Sequence, residues 1–242
     1  MPLYYNLISS MSRGVAPTNP LWDGLQAYYT ADNTPNDALG NYNGTLVNGT
    51  TYGTGIINQG FDFDGVNDYV DLGNNFGFNV NDTFSFNFWV DRVSGSNFST
   101  LFSKVDSTTL RGYHIRFDNN INGKIQLTLL DSLSNLSEYI TTNQLVDLNI
   151  HMITITYDGL NTATSCKIYV DGVSQSLTRN ITGAGATSII NTESAKIGVN
   201  SYTGGVHFFN GIIDEPAIYS KELSASEVTE LYNSGAAKQY PN

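Results

Sequence analysis

Residues 61–73 read FDFDGVNDYVDLG, which sets Asp62, Asp64, Asp68 and Asp71 among aromatic and apolar side chains in one short stretch. Phe61 and Phe63 alternate with Asp62 and Asp64, and a period of two belongs to a strand with one face buried. Gly65 to Asn67 reads as a turn, after which Tyr69 and Leu72 lie among Asp68 and Asp71 as a second short strand at a rim. Three readings of the carboxylates compete: the solvated side of a strand pair, a share in an oxygen-rich metal site, and a catalytic pair. The solvated strand–turn–strand is the main one. An EF-hand loop is excluded, because Gly73 stands where the bidentate twelfth ligand belongs.

The same alternation recurs on both sides of this stretch. FSFNFWV (84–90), YHIRF (113–117), KIQLTLL (124–130), HMITITY (151–157), KIYV (167–170) and GIIDEPAIY (211–219) all read as strands. In the first, Phe84, Phe86, Phe88 and Val90 share one face, and Ser85, Asn87, Trp89 and Asp91 the other. Gly- and Asn-rich turns separate them, and GTGIINQG (53–60) reads as a hairpin connection. The pattern predicts an all-β, two-sheet antiparallel sandwich over residues 22–242. One short C-terminal helix is expected near 224–234. Ser224 and Glu227 form its capping box, Val228, Leu231 and Tyr232 its apolar stripe, and Gly235 its stop. Residues 1–21 fit no such rhythm and read as an N-terminal arm.

Composition narrows the function classes. The chain has 242 residues and a net charge of −11, and nucleic-acid binding requires a basic surface. The first glutamate is Glu138, so the first half carries its negative charge on aspartate, a residue of turns and caps. No apolar run reaches membrane-spanning length. Cys166, the single cysteine, allows no internal disulfide and alternates with Ile168 and Val170 on a buried strand face. The start, MPLYYNLISSMSRGVAP, lacks the pattern of a secretory signal, so export by the usual route is not expected. His114, His151 and His207 show no metal-ligand spacing with Cys166. No Gly-x-Ser-x-Gly elbow and no phosphate-binding glycine loop occur.

An ordered set of motifs adds a resemblance. GLQAYYTAD (24–32), NYNGTLVNG (41–49), FDFDGVNDYVDLG, TLFSK (100–104), ITYDG (155–159), KIYVDG (167–172), AKIGVN (195–200) and FNGIIDEPAIYSKELSASEVTELYNSG (209–235) follow one another. Over roughly residues 22–235 the chain resembles a laminin-G-like domain of the concanavalin A-like lectin/glucanase superfamily. The resemblance implies a jelly-roll sandwich, usually a non-catalytic module for glycans or proteins, with one structural calcium near a sheet edge. It implies calcium ligands at Asp32, Asn43, Gly44 and Asp214, and it leaves open whether Asp32 or Asp37 points inward. The glucanase branch needs two carboxylates on one strand, typically Glu-x-Asp-x-x-Glu, and no such pattern occurs here. No enzyme activity is therefore expected.

A glycan site needs aromatic faces and planar polar groups. Asn87, Trp89, His114 and Arg116 fall on the polar sides of expected strands, and Tyr202 and His207 on a rim loop. Two functions are carried forward. One is a virion-associated structural or decoration protein, docked on other virion or surface proteins through residues 1–20 within an oligomer, with a sandwich able to bind host-surface glycans. The other is a secreted or cell-surface carbohydrate-binding module. The expected location is the virion in the first case and extracellular in the second.

Overall fold

A computed structural model describes residues 19–93, 99–118, 123–145, 147, 149–202 and 205–241. In chain order the strands begin with β1 (Leu25–Tyr28), β2 (Thr45–Val47), β3 (Thr51–Thr54), β4 (Gln59–Asp64), β5 (Tyr69–Asp71) and β6 (Phe84–Arg92). They continue with β7 (Thr100–Val105), β8 (Gly112–Phe117), β9 (Ile125–Ser132), β10 (Asn135–Thr141), β11 (His151–Tyr157) and β12 (Cys166–Val170). The last are β13 (Val173–Ser174), β14 (Leu177–Thr182), β15 (Lys196–Ile197), β16 (Val199–Tyr202), β17 (Gly205–Phe208) and β18 (Asn210–Tyr219), followed by helix α1 (Ala225–Tyr232). Each expected strand segment is a strand, with ends moved by one or two residues at most.

These strands build a jelly-roll sandwich. The first sheet runs β13-β12-β11-β6-β18-β4-β3, with β1 also paired to β18, and the second runs β14-β10-β9-β8-β7-β15-β5-β2. The two inner faces meet in one core. Phe84, Phe86 and Phe88 of β6 enter it from one side, and Phe102, Tyr113, Ile115 and Leu127 from the other. Cys166 is buried in the same core, and burial pushes its thiol up.

The 61–73 stretch crosses between the layers. Its first strand lies in the first sheet and its second in the second sheet, so it is a link rather than a hairpin. The turn between them needs Gly65 at φ +76°, a left-handed angle that suits a residue without a Cβ. Asp68 departs from the solvated reading. It is buried, and its carboxylate accepts from the backbone N–H groups of Gly49 at 2.7 Å and Asp64 at 3.2 Å. Asp64 accepts from Val66 N–H at 2.7 Å, and Asp71 from Gly73 N–H at 2.7 Å. These three carboxylates thus fix backbone turns. Asp62 is pushed above the usual carboxylate range by burial and by Asp68 and Asp64.

Helix α1 starts as its capping box requires. Ser224 Oγ accepts from Glu227 N–H at 3.3 Å, and Glu227 Oε2 accepts from Ser224 N–H at 2.8 Å. The helix stops at Asn233, whose φ of +48° is left-handed. Its stripe lies on the outer face of the first sheet, not along an edge. Val228 and Leu231 pack there with Trp89, Met152, Tyr169 and Tyr219. Leu21, at the end of the expected arm, is buried in the same layer within a short turn, Pro20–Trp22. Residues 1–18 lie outside the described residues.

Candidate functional site

Strand β8 alternates cleanly. Tyr113, Ile115 and Phe117 fill the core, so His114 and Arg116 point out from the second sheet. Antiparallel register extends His114 into a row of polar side chains and Arg116 into a row that is polar but for one isoleucine. Ser103, His114, Thr128, Glu138 and Asn180 stand opposite one another across five strands. Beside them run Thr100, Arg116, Gln126, Ile140 and Thr178. At the β10–β14 end the rows reach solvent, where Asn180 Nδ2 donates to Glu138 Oε1 at 2.9 Å.

At the β7–β8 end the rows are covered. Ser103 Oγ donates to the Val199 carbonyl at 2.6 Å, which ties β16 to the sheet. The β16–β17 register sets Asn200 opposite His207, so one hairpin supplies both. Asn200 lies within 3.2 Å of His114, amide nitrogen to Nδ1. Arg116 is held in plane by Gln126, whose carbonyl oxygen accepts from Nε at 2.8 Å and Nη2 at 2.9 Å in the amide orientation that satisfies both groups.

Electrostatics follow from this burial. His114 is pushed well below the ordinary histidine range by burial and by the charges of Arg116 and His207. His207 is lowered to about 4 by burial and by Arg116. Both imidazoles are neutral near pH 7. With the Asn200 amide nitrogen at His114 Nδ1, the second ring nitrogen, Nε2, is buried and has no hydrogen-bond partner among the described residues. Asn200 Oδ1 is a buried acceptor, also without a partner among the described residues. Each such atom costs about 1–3 kcal/mol unless something meets it. Hydroxyl groups, which both donate and accept, can meet either atom.

Of the six glycan residues expected from sequence, the fold brings His114, Arg116 and His207 together. Tyr202 is on β16, but its side chain lies outside the described ones. Asn87 and Trp89 are a correction. They face outward from the first sheet, but α1 covers that face: Trp89 stacks on Tyr232 with ring centroids 5.8 Å apart, and Asn87 Oδ1 accepts from Thr154 Oγ1 at 2.7 Å. Gln126, Thr128 and Asn200 belong to the site and were missed. In KIQLTLL the first two are the polar partners of Ile125, Leu127 and Leu129 on alternate positions, a signal available from the strand pattern alone.

The expected metal ligands divide into two places. Asp32 and Asp214 both reach the β3–β4 turn. Asp32 accepts from Gln59 N–H at 3.0 Å and Asn58 Nδ2 at 3.1 Å, and Asp214 accepts from Ile57 N–H at 3.1 Å. Gly55 permits this approach, since a Cβ there would sit 2.3 Å from Asp214 Oδ2. Asp214 is pushed up to about 7 by burial, with the charge of Asp32 adding to it. Two carboxylates confined this way fit a hard cation in charge and oxygen chemistry. Asn43 and Gly44 do not join them. Asn43 Oδ1 accepts from Asp37 N–H at 3.1 Å, and Gly44 N–H donates to the Pro35 carbonyl at 2.9 Å. Asp37 does point inward, but its carboxylate accepts from four backbone N–H groups: Tyr28, Leu39, Asn41 and Tyr42. Among the described residues no group of three or more His, Cys, Asp or Glu side chains is placed to hold a metal.

Comparison with known proteins agrees with the architecture. Domain 4 of an extracellular arabinanase from Geobacillus stearothermophilus, solved with arabinotriose, superposes with a TM-score of 0.65 at 20% identity, covering 88% of this chain and 98% of that one. The binding domain of Paraclostridial mosquitocidal protein 1 matches with a TM-score of 0.66 at 18% identity, over 89% of this chain and 53% of that chain. The ligand binding domain of botulinum neurotoxin serotype D, solved with N-acetylneuraminic acid, matches with a TM-score of 0.63 at 16% identity, over 88% and 51%. The chain spans about half the length of both toxin domains. No curated protein matches it significantly in sequence. A laminin-G family model matches residues 64–229, more than half of the sequence, and the chain belongs to that family, the concanavalin A-like lectin/glucanases superfamily.

Proposed function

We propose that the chain is a non-catalytic carbohydrate-binding module whose ligand lies across the outer face of the second sheet. One observation carries the reading: His114 and Asn200 touch at the covered end of an outward polar face, and among the described residues the buried His114 Nε2 and Asn200 Oδ1 have no hydrogen-bond partner. The rows running on through Thr128 to Glu138 and Asn180 offer further hydrogen bonds to a chain of sugar units. The arabinotriose and N-acetylneuraminic acid of the structural neighbours support the ligand class. The non-catalytic reading is supported by Asp214 and Glu215, both pushed up to about 7 by burial. They face different partners, the Ile57 backbone and the Gln239 side chain, and do not flank a common bond. A glycan array probed with the purified protein tests the proposal. Binding should be saturable and should fall at least roughly tenfold in His114→Ala and in Asn200→Ala. An array without a hit, or hits indifferent to both changes, would overturn it.

Two further proposals complete the reading. A structural calcium is held by Asp32 and Asp214 with carbonyl oxygens of the chain, and without Asn43 and Gly44. The module decorates a virion, attached through residues 1–20 to a neighbouring virion or surface protein. Support for the attachment is the apolar run of Leu3, Tyr4, Tyr5, Leu7 and Ile8 ahead of an acidic sandwich, since burying apolar surface is worth about 25 cal/mol per Å². Mass spectrometry of purified virions should find the chain, and deleting residues 2–17 should leave a folded sandwich that no longer incorporates. Recovery only as a free secreted protein would favour the secreted module instead.

A further inference from the structure

We propose that a cavity of about 520 Å³ between the Pro20–Trp22 turn and the C-terminal segment binds a quaternary ammonium group of the choline type. It lies apart from the polar face, among the residues that cover the first sheet. Trp22, Asp23, Leu25, Leu39, Tyr240 and Pro241 form its walls together with Asn19, whose amide is already bonded to Glu230 Oε1 and the Leu21 N–H.

The rings decide the ligand's shape. Trp22 and Tyr240 meet with centroids 5.4 Å apart at 83°, and Tyr28 packs behind both, at 71° to Trp22 and 45° to Tyr240. A sugar stacks on a flat exposed platform, whereas three rings at steep mutual angles make a corner. A corner suits a compact rounded head whose charge is attracted to ring faces.

The charges decide its sign. Asp23 is exposed at the cavity, and among the described residues its carboxylate makes no hydrogen bond or ion pair. Among the described residues no lysine or arginine lines the walls. Apart from Asp23, the walls from Leu25, Leu39 and Pro241 are apolar, which favours a methylated ammonium over one whose several protons each need an acceptor. Trp22 Nε1, on a wall of the cavity, is buried without a hydrogen-bond partner among the described residues, a donor left for the oxygen of a choline-type tether.

Calorimetric titration of the full chain tests this with choline chloride and its neutral carbon isostere, dimethylbutanol. Choline should bind saturably, and the isostere at least about tenfold more weakly, because it lacks the charge. Asp23→Asn, a change at an exposed position, should weaken choline roughly fivefold. Trp22→Leu or Tyr240→Leu should abolish binding, and His114→Ala should leave it unchanged, which separates this site from the polar face. Equal binding of choline and the isostere, no saturable binding, or indifference to Asp23→Asn would overturn the proposal. Those three readouts hold even if a ring variant fails to fold. Tighter binding of a trimethyl-lysine peptide than of choline would overturn the choline assignment in favour of a protein partner.

Discussion

Asp37 shows how one carboxylate can organise a turn. It is buried, and four backbone N–H groups between Tyr28 and Tyr42 converge on its two oxygens. Removing it strands those donors, so Asp37→Ala should cost on the order of 3–5 kcal/mol in denaturant unfolding. Asn43→Ala loses a single bond to the same turn and should cost about 1 kcal/mol. Neither change should alter the response to calcium. Calcium should raise the melting temperature of the wild type and EDTA lower it, because a ligand held only by the folded state stabilises it. Asp214→Asn should remove that response, and an unchanged melting curve in calcium and EDTA would dismiss the metal. Metal ligation and backbone capping both ask for an oxygen on a short side chain beside a turn. For that reason the sequence could not separate Asn43, which caps, from Asp32, which reaches the β3–β4 loop. The burial of Asp68 was hidden in the same way, since its backbone partner Gly49 lies nineteen residues earlier in the chain.

At the scale of elements, the strands were legible because their alternation is a local property, and so was the capping box of α1. Where the helix docks was not. Ser85, Asn87 and Trp89 read as a solvent face by polarity, and the chain's return after β18 covers that face. Leu231→Ala should cost about 2–4 kcal/mol, since Leu231 is buried in that layer. Trp89 emission should shift to the red in the same variant as the helix loosens from it. A second element-level feature lies at the start of β11. His151 Nδ1 is 2.6 Å from Asp171 Oδ2, and Nε2 is 2.6 Å from Asp147 Oδ1. Burial lowers its pKa, but hydrogen bonds and charge from the two carboxylates outweigh burial and leave it raised above 6.5. The folded state therefore holds this proton more tightly than the unfolded one. The stability so gained is fully present below pH 6.5 and is lost as pH rises through the folded value. Melting temperature followed from pH 6 to pH 9 should fall in the wild type, and His151→Gln should flatten that decline. A His151→Gln profile as steep as the wild type's would assign the decline to other groups.

For the whole molecule, the fold and the polar face have different kinds of support. The sandwich follows from many local patterns that agree, and the comparisons reach the same family. The face is assembled from β8, β9 and the β16–β17 hairpin. Sequence placed His114, Arg116 and His207 on exposed sides without bringing them together. Register within the second sheet and the return of one hairpin over it supply that proximity, and no local pattern encodes either. The most direct test of carbohydrate binding at this face is the affinity of the strongest array glycan, measured by calorimetry for the wild type and for His114→Ala, Asn200→Ala and Trp22→Leu. The account predicts at least roughly tenfold weaker binding for the first two and no change for the third. Full affinity in His114→Ala and Asn200→Ala, or loss only in Trp22→Leu, would contradict it.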